Sequence, residues 1–419
     1  MKRMIYAGSV GTPEILSRGK KKSGSISGRG EGVYSLFINE NNEVQNMGVV
    51  YNDNAGIICI SHNGKYVYAA NESRDFGGLN GSGGGVTAMR IRDDGTLEKI
   101  NDSISYGSRS SYVSTSEDDR FLLVSNHGSH TVATCHYVLN EKGKYELKRG
   151  YDDSSLAVFA LNEDGSIGEL CDLKVFDGHG YWINGGGQSG SHLHSVRYHK
   201  GLIFCGNRGA DEIEVLKLSK NGKLSLLQRF RTRPGMAPRH IDFHPEKDLI
   251  YVTHENYPCV GVYRVDYENG KLCEVDVCPT MDEEYIKENP IPFYQKDTCS
   301  IGEANTSAMA DFSRIMPSDI HVSRDGRFCF VANRCLKQKG SIATFRIEEN
   351  GDLSFVGVNL LDGSDPRGFN VFPDEDLLIV GLLDKDTVDI YEYDENGMFK
   401  KKVSSGNVPS CASFVFEER

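Results

Sequence analysis

One pattern of two β-hairpins returns around the whole chain, and it restricts the fold more than any composition figure. Its first half is an apolar run, a turn rich in Gly, Asp or Lys, and a second apolar run. Six copies are present: IICISHNGKYVYAANE from Ile57, YVSTSEDDRFLLVSN from Tyr112, HSVRYHKGLIFCGN from His194, HIDFHPEKDLIYVTHE from His240, IHVSRDGRFCFVAN from Ile320 and GFNVFPDEDLLIVGL from Gly368. The second half is a hairpin with an Asn-Gly, Asp-Gly or similar turn. It occurs seven times: VTAMRIRDDGTLEKI, LAVFALNEDGSIGEL, IEVLKLSKNGKLSLL, VGVYRVDYENGKLCEV, IATFRIEENGDLSFV, VDIYEYDENGMFKKK and, near the N-terminus, GVYSLFINENNEVQNM. Such turns are read with positive φ at both central positions, which Gly adopts cheaply. Each unit is then four antiparallel strands. The missing seventh first half comes from the two ends, SCASFVF from Ser410 beside MIYAGSV from Met4. Four-stranded units repeated radially make an all-β, seven-bladed β-propeller, closed by pairing of the N- and C-terminal strands and forming one domain over residues 1–419.

With 419 residues, seven units have about 60 residues each, more than the ~40–45 of a plain four-stranded blade. The surplus falls near 76–85, 141–151, 177–190 and 280–317. The third insertion, DGHGYWINGGG, carries the single tryptophan, Trp182, a natural probe of that loop. No apolar run reaches 18 residues, and Gly8 interrupts the start before a signal-peptide core could form. The reading is a soluble, cytoplasmic protein with no membrane partner. The net charge of −12 disfavours a phosphate-backbone partner, so no nucleic acid is expected. The 11 cysteines sit mostly in apolar runs without CxxC spacing, as reduced core residues would. No metal or other cofactor is called for, and the oligomeric state is left open.

Pairing about each turn places polar residues at one end of the blades. The sums put Arg239 opposite His254 and beside Glu255, Asp319 opposite Arg334, His194 opposite Asn207 and near Arg208, and Tyr112 opposite Asn126, with Arg367 near Leu382 and Glu72 ending its strand. Innermost strands line a central channel, so His192, His194, Arg239, His240, His321, Arg334 and Arg367 should surround one mouth, with Glu255, Glu72 and Asp319 among them. A locally basic mouth on an acidic protein suits a small anionic ligand, because guanidinium groups offer forked donors to carboxylate or phosphate. Each residue also has a structural reading. His, Arg and Asp in inner strands often join blades, Asp319 and Arg334 could be a local ion pair, and the recurring Asn71, Asn126, Asn207 and Asn333 suit strand-end capping. The fourth unit stands apart because it gathers Arg, His, His and Glu.

At these residues the chain resembles the lactonase family of seven-bladed propellers, which includes bacterial 6-phosphogluconolactonase and fungal 3-carboxy-cis,cis-muconate cyclase. The resemblance rests on APRHIDFHP from Ala237 with THEN from Thr253, SHLHSV from Ser191, DIHVSRDGRFCFVANR from Asp319 and DPRGFNVFP from Asp365, in that family's order and spacing. Carried over by position, it implies an active site of His194, Arg239, Glu255 and Arg334, with Arg367 and His192 as neighbours. Departures are Ser110-Ser111-Tyr112 in the second unit, Ser191 before the double-His motif, and the 280–317 insertion. The implied activity is hydrolysis of an anionic sugar lactone such as 6-phosphogluconolactone. In that scheme Glu255 is the base, His194 the acid, Arg239 and Arg334 the donors to developing charge, and His192, His240, His321, Arg367 and Tyr112 line the substrate. Two alternatives share the pocket: a cycloisomerase acting on 3-carboxymuconate, and a propeller that binds a ligand or protein without catalysis.

Overall fold

The computed structural model describes residues 3–11, 28–78, 81–182, 187–288, 315–335 and 338–417, with backbone alone for 129–138 and 146–152. Seven four-stranded antiparallel sheets form the blades. Blade one runs outward from Ile57–Ile60, blade two from Ser110–Thr115, blade three from Leu193–His199, blade four from Pro238–Phe243, blade five from Met316–Val322 and blade six from Pro366–Val371. Blade seven combines the termini as expected. Cys411–Phe416 is innermost, followed by Arg3–Ser9, Gly32–Ile38 and Val44–Tyr51. Each innermost strand packs on those of the two adjacent blades, and the ring closes from blade seven to blade one.

The core lies between blades. Seven apolar clusters each join one adjacent pair, as where Tyr34 and Leu36 of blade seven meet Ile379 and Ile390 of blade six. A sheet buries both faces only against neighbours, so no blade is stable alone. The Gly turns tighten these joints. The Tyr68 hydroxyl of blade one donates to the Gly165 carbonyl of blade two at 3.0 Å, and Tyr251 of blade four to Gly351 of blade five at 2.8 Å. Gly165 has φ of +82°, and a Cβ there would meet the Tyr66 ring at 2.3 Å. The turns correct one expectation: in Asn162–Gly165 and its siblings only the last residue takes positive φ, a glycine in six blades and Asn42 in blade seven. These are type I turns closed by a left-handed residue and a bulge, which suit a longer loop than the two-residue turn.

The insertions differ in kind. The one expected at 141–151 is a complete two-stranded hairpin, Ser129–Leu139 with Tyr145–Asp152, so it begins earlier than the sequence suggests. The segment at 76–85 holds a short 3-10 turn, Phe76–Gly78. Of the 280–317 insertion, the described part contains the helix Glu283–Glu288, and residues 289–314 lie outside the described residues. The nine described cysteines are all free, and Cys273 is exposed rather than in the core. No helix among the described residues is long and apolar enough to cross a membrane.

Candidate active site

The channel mouth is built from a backbone device that the simple pairing sums miss. Six innermost strands slip register at the channel end: Ser110/Tyr112 in blade two, Leu193/Ser195 in blade three, Pro238/Ile241 in blade four, Pro317/Asp319 in blade five, Pro366/Gly368 in blade six and Cys411/Ser413 in blade seven. The extra residue at each slip includes His194, Arg239 and Arg367. A bulge leaves a residue unpaired and re-aims its side chain, which is why these groups point into the mouth. Four expected pairs change accordingly. Pro238 and not Arg239 faces His254, Leu193 and not His194 faces Asn207, Ser110 and not Tyr112 faces Asn126, and Asp319 faces Ala332 while Arg334 faces Met316.

A second repeated device fixes the other half of the site. The amide following the second strand donates to the carbonyl of a residue leading into the innermost strand, as Glu255 to Ala237 at 2.9 Å, Arg208 to His192 at 3.0 Å, His127 to Arg109 at 2.9 Å and Glu72 to Asn54 at 3.1 Å. Glu72, His127, Arg208, Glu255 and Arg334 thus stand at equivalent places in five blades. The asparagines just before four of them, Asn71, Asn126, Asn207 and Asn333, serve folding. Asn207 accepts the His192 amide at 2.9 Å and donates to the Ser191 hydroxyl at 3.0 Å.

Glu255 is the centre of charge. Its Oε2 lies 3.0 Å from Arg208 Nε and 3.2 Å from Arg239 Nε, and its Oε1 lies 3.2 Å from Arg334 Nη2. The carboxylate is 15 % exposed and the Arg239 guanidinium 1 %. Burial works to raise the Glu255 pKa, but Arg208, Arg334, Arg239 and Arg367 outweigh it and hold the carboxyl well below the usual range. Burial and then Arg334 lower the Arg239 pKa, against the pull of Glu255. Beside this cluster Glu72 accepts from Arg109 Nη2 at 2.7 Å and lies 3.7 Å from Arg367 Nη2. Five guanidinium groups thus meet two glutamates, and the mouth keeps excess positive charge.

The imidazoles divide into two groups. His194 is buried with Nδ1 making no hydrogen bond among the described residues, and its ring lies 5.6 Å edge-on from His127 and 5.2 Å from His240. Burial, then Arg239, His240, His127 and Arg208, push its pKa well below the histidine range, so it is neutral at pH 7. His192 stacks on His127 at 4.6 Å and its Nδ1 is 2.8 Å from the His127 carbonyl. His240, His321 and Tyr112 belong to joints between blades. His240 Nδ1 is 2.8 Å from Asp319 Oδ1 and its Nε2 3.0 Å from Arg239 Nη1. Burial and Arg239 bring the His240 pKa down to about 4 against the pull of Asp319. His321 Nε2 lies 3.4 Å from the other Asp319 oxygen, and Tyr112 sits edge-on to His240 at 5.2 Å and contacts Arg197. Asp319 therefore pairs with these histidines and not with Arg334.

The sequence-predicted Glu255, Arg239 and Arg334 are in direct contact, Arg367 acts on Glu255 and Arg239 by its charge while pairing with Glu72, and His194 adjoins Arg239. His192 supports the ring stack, whereas His240, His321 and Tyr112 are tied to blade joints. The site also holds Arg109 and His127, which the sequence reading did not single out, and Arg208, which it noted only in passing. Their signal was present: Arg208 follows Asn207 and His127 follows Asn126 as Arg334 follows Asn333. Arg109 has φ of +61° and only its neighbourhood in space reveals it. Among the described residues no group of His, Cys, Asp and Glu is placed to hold a metal ion.

The chain matches the family profile described as "Lactonase, 7-bladed beta-propeller" over residues 20–135 and 129–416. It is 25% identical over 358 residues to the 6-phosphogluconolactonase of Formosa agariphila, covering 83% of this chain and 84% of the relative. With the 6-phosphogluconolactonase of Bacillus subtilis it shares 26% identity over 289 residues, 68% of this chain and 73% of the relative. The periplasmic gluconolactonase of Pseudomonas aeruginosa superposes with a TM-score of 0.74 at 20% identity, over 99% of both chains, a likeness of fold. With its profile matched along nearly the whole length, the chain belongs to the lactonase family of seven-bladed β-propellers.

Proposed function

We propose that the chain is an ester hydrolase that opens an anionic sugar lactone, 6-phosphogluconolactone being the substrate that its relatives' names favour, at the mouth ringed by Arg208, Arg239, Glu255, Arg334 and Arg367. The observation that carries this is the surplus of guanidinium groups beside a neutral imidazole with a free ring nitrogen. Arg367 makes no hydrogen bond to the described residues and only a 3.7 Å ion pair, so its donors are open to a ligand anion. Arg334 and Arg239 would face the carbonyl oxygen as it gains charge.

The charges favour a division of labour different from the one first expected. A carboxylate held ionised by several arginines is a weak base, so Glu255 fits an anchoring role that keeps the guanidinium groups in place. His194 fits the proton transfers. Its free nitrogen takes the proton of a water attacking the carbonyl carbon, and the tetrahedral intermediate forms. The ring C–O bond then breaks, and His194 returns that proton to the departing ring oxygen, leaving a hydroxy acid. Burial is the main cause that lowers the His194 pKa, and an anion bound across the arginines offsets the part that comes from Arg239 and Arg208, which strengthens the imidazole as a base. A phosphorylated substrate goes with action in the cytoplasm, in the oxidative branch of sugar-phosphate metabolism.

The test is proton release in a pH-stat on addition of freshly made 6-phosphogluconolactone. Hydrolysis well above the spontaneous rate, lost in Arg334→Ala, is expected. No acceleration of this lactone or of unphosphorylated gluconolactone would overturn the reading. Turnover of 3-carboxymuconate instead, followed by ultraviolet absorbance, would move the assignment to the cycloisomerase.

A further inference from the structure

A carboxylate outside the arginine cluster holds two separate segments against it. Asp211 lies in the turn between the second and third strands of blade three, is 3% exposed and has φ of +57°. Its Oδ2 accepts the amides of Tyr181 at 2.9 Å and Gly235 at 2.7 Å. Its Oδ1 accepts the Ala237 amide at 2.8 Å and Gln188 Nε2 at 2.6 Å. Tyr181 and Gln188 come from the 177–190 insertion, whose Trp182 is buried against Met236 and Tyr257. Gly235 and Ala237 lead into the innermost strand of blade four. Each link continues into the site. The Ala237 carbonyl receives the Glu255 amide, Arg239 follows two residues later, and Gln188 Nε2 also donates to the Arg208 carbonyl at 2.9 Å.

The matching turn in blade six shows what folding alone needs. There Asp386, also at positive φ, accepts the Ser410 amide at 3.0 Å and hydroxyl at 3.4 Å at the entry to blade seven, pairs with the exposed Arg29 Nε at 2.6 Å, and its own carbonyl takes the Val408 amide as Asp211 takes that of Thr232. Asp211 keeps this joint and adds three donors, two of them from the insertion. Both of its oxygens are doubly used, so an asparagine in either orientation would turn an NH2 group toward two N–H donors. Burial pushes the Asp211 carboxyl above its usual range, against the four bonds, so the charged form depends on all of them.

We propose that Asp211 is a positioning residue for the arginine–glutamate cluster: by fastening Tyr181 and Gln188 to the entry of blade four, it sets the separations among Arg208, Arg239 and Glu255. Only the kinetic part of this rests on the lactonase reading. The experiment compares Asp211→Asn with Asp386→Asn in protein labelled with 15N-arginine, following the Nε–Hε signals of Arg208 and Arg239, assigned by single Arg→Lys replacements, together with kcat/KM for 6-phosphogluconolactone. Asp211→Asn should shift and broaden both signals and lower kcat/KM tenfold or more, whereas Asp386→Asn should leave both within error and lower only the melting temperature. Unmoved arginine signals in a folded Asp211→Asn protein would overturn the proposal, as would equal effects from Asp386→Asn. Should Asp211→Asn fail to fold, Gln188→Met decides: it removes the donor shared by Asp211 and the Arg208 carbonyl, and an unmoved Arg208 signal would overturn the proposal. A wild-type protein inactive on the lactone would sink the functional reading, while the arginine signals would still decide the role of Asp211.

Discussion

Blades four and seven have the same four-stranded sheet and the same backbone bond at the channel mouth, yet only one of them places charged side chains there. In blade four the Glu255 amide donates to the Ala237 carbonyl; in blade seven the Val10 amide donates to Ser410, also at 2.9 Å. Both innermost strands also slip register at that end, with Arg239 and His240 beside the slip in blade four and Ala412 in blade seven. Val10 is buried and packs near Gly56, whereas Glu255 binds three arginines. The repeat therefore supplies a backbone position seven times, and the side chain placed there is free of any folding requirement beyond its size. The charged cluster of this wheel is an arc of substitutions on positions that the repeat supplies in every blade.

The contrast predicts that replacements on the arc cost activity and those opposite cost only stability. The largest effect is expected for His194→Asn, which keeps a polar group of similar size but cannot take the proton. kcat for lactone hydrolysis should fall by ~10²–10⁴, and a value within threefold of wild type would remove His194 from the mechanism.

Acid should then weaken the charged side of the wheel first. The folded pKa of His240 is about 4, below the ~6.5 of an unfolded histidine, so between these values the unfolded chain binds more protons. Stability from this group is complete above pH 6.5 and is lost as pH falls to about 4, by about 3 kcal/mol. His254, brought down to about 3 by burial and Arg233, acts in the same sense. Below the carboxylate range Glu255 and Asp319, both depressed, add a second loss. Urea unfolding from pH 7 to pH 4 measures this, and His240→Asn should flatten part of the slope. A flat profile in the wild type would contradict the burial of these rings as neutral groups.

Arg367→Ala should raise KM more than it lowers kcat, with kcat/KM down roughly 10–100-fold, the size expected for about 1.5–3 kcal/mol from a charged hydrogen bond. An unchanged KM would mean that the ligand's anion is bound elsewhere on the arc. Val10→Ala, the counterpart of a change at Glu255, should cost about 1–2 kcal/mol of stability from two lost methyl groups. Its kcat/KM should stay within twofold, and a larger drop would show that the quiet side of the mouth also shapes the site.

Much of this was legible in the chain itself. Alternating apolar runs and regularly spaced Gly turns specify strands, hairpins and their sevenfold return, because those signals depend only on neighbours along the chain. The same regularity exposed Arg239 and Glu255 of the fourth unit as a departure from the repeat, whereas His194 and Arg334 were singled out by their place at the strand ends and by the family resemblance. The sequence alone could not place the register slips, since a bulge is chosen by packing between blades and not by the turn it lies beside. That is why pairing sums set Asp319 against Arg334, whereas the folded chain gives Asp319 to His240 and His321 and gives Arg334 to Glu255. Nor could it reveal Arg109 or the hub at Asp211, whose partners lie 23 to 37 residues away in sequence. Local pattern determined that the chain is a seven-bladed wheel with an unusual fourth blade. Only the closed ring, where five guanidinium groups from blades two to six crowd one low-dielectric mouth, decided which carboxylate stays charged and which imidazole stays neutral.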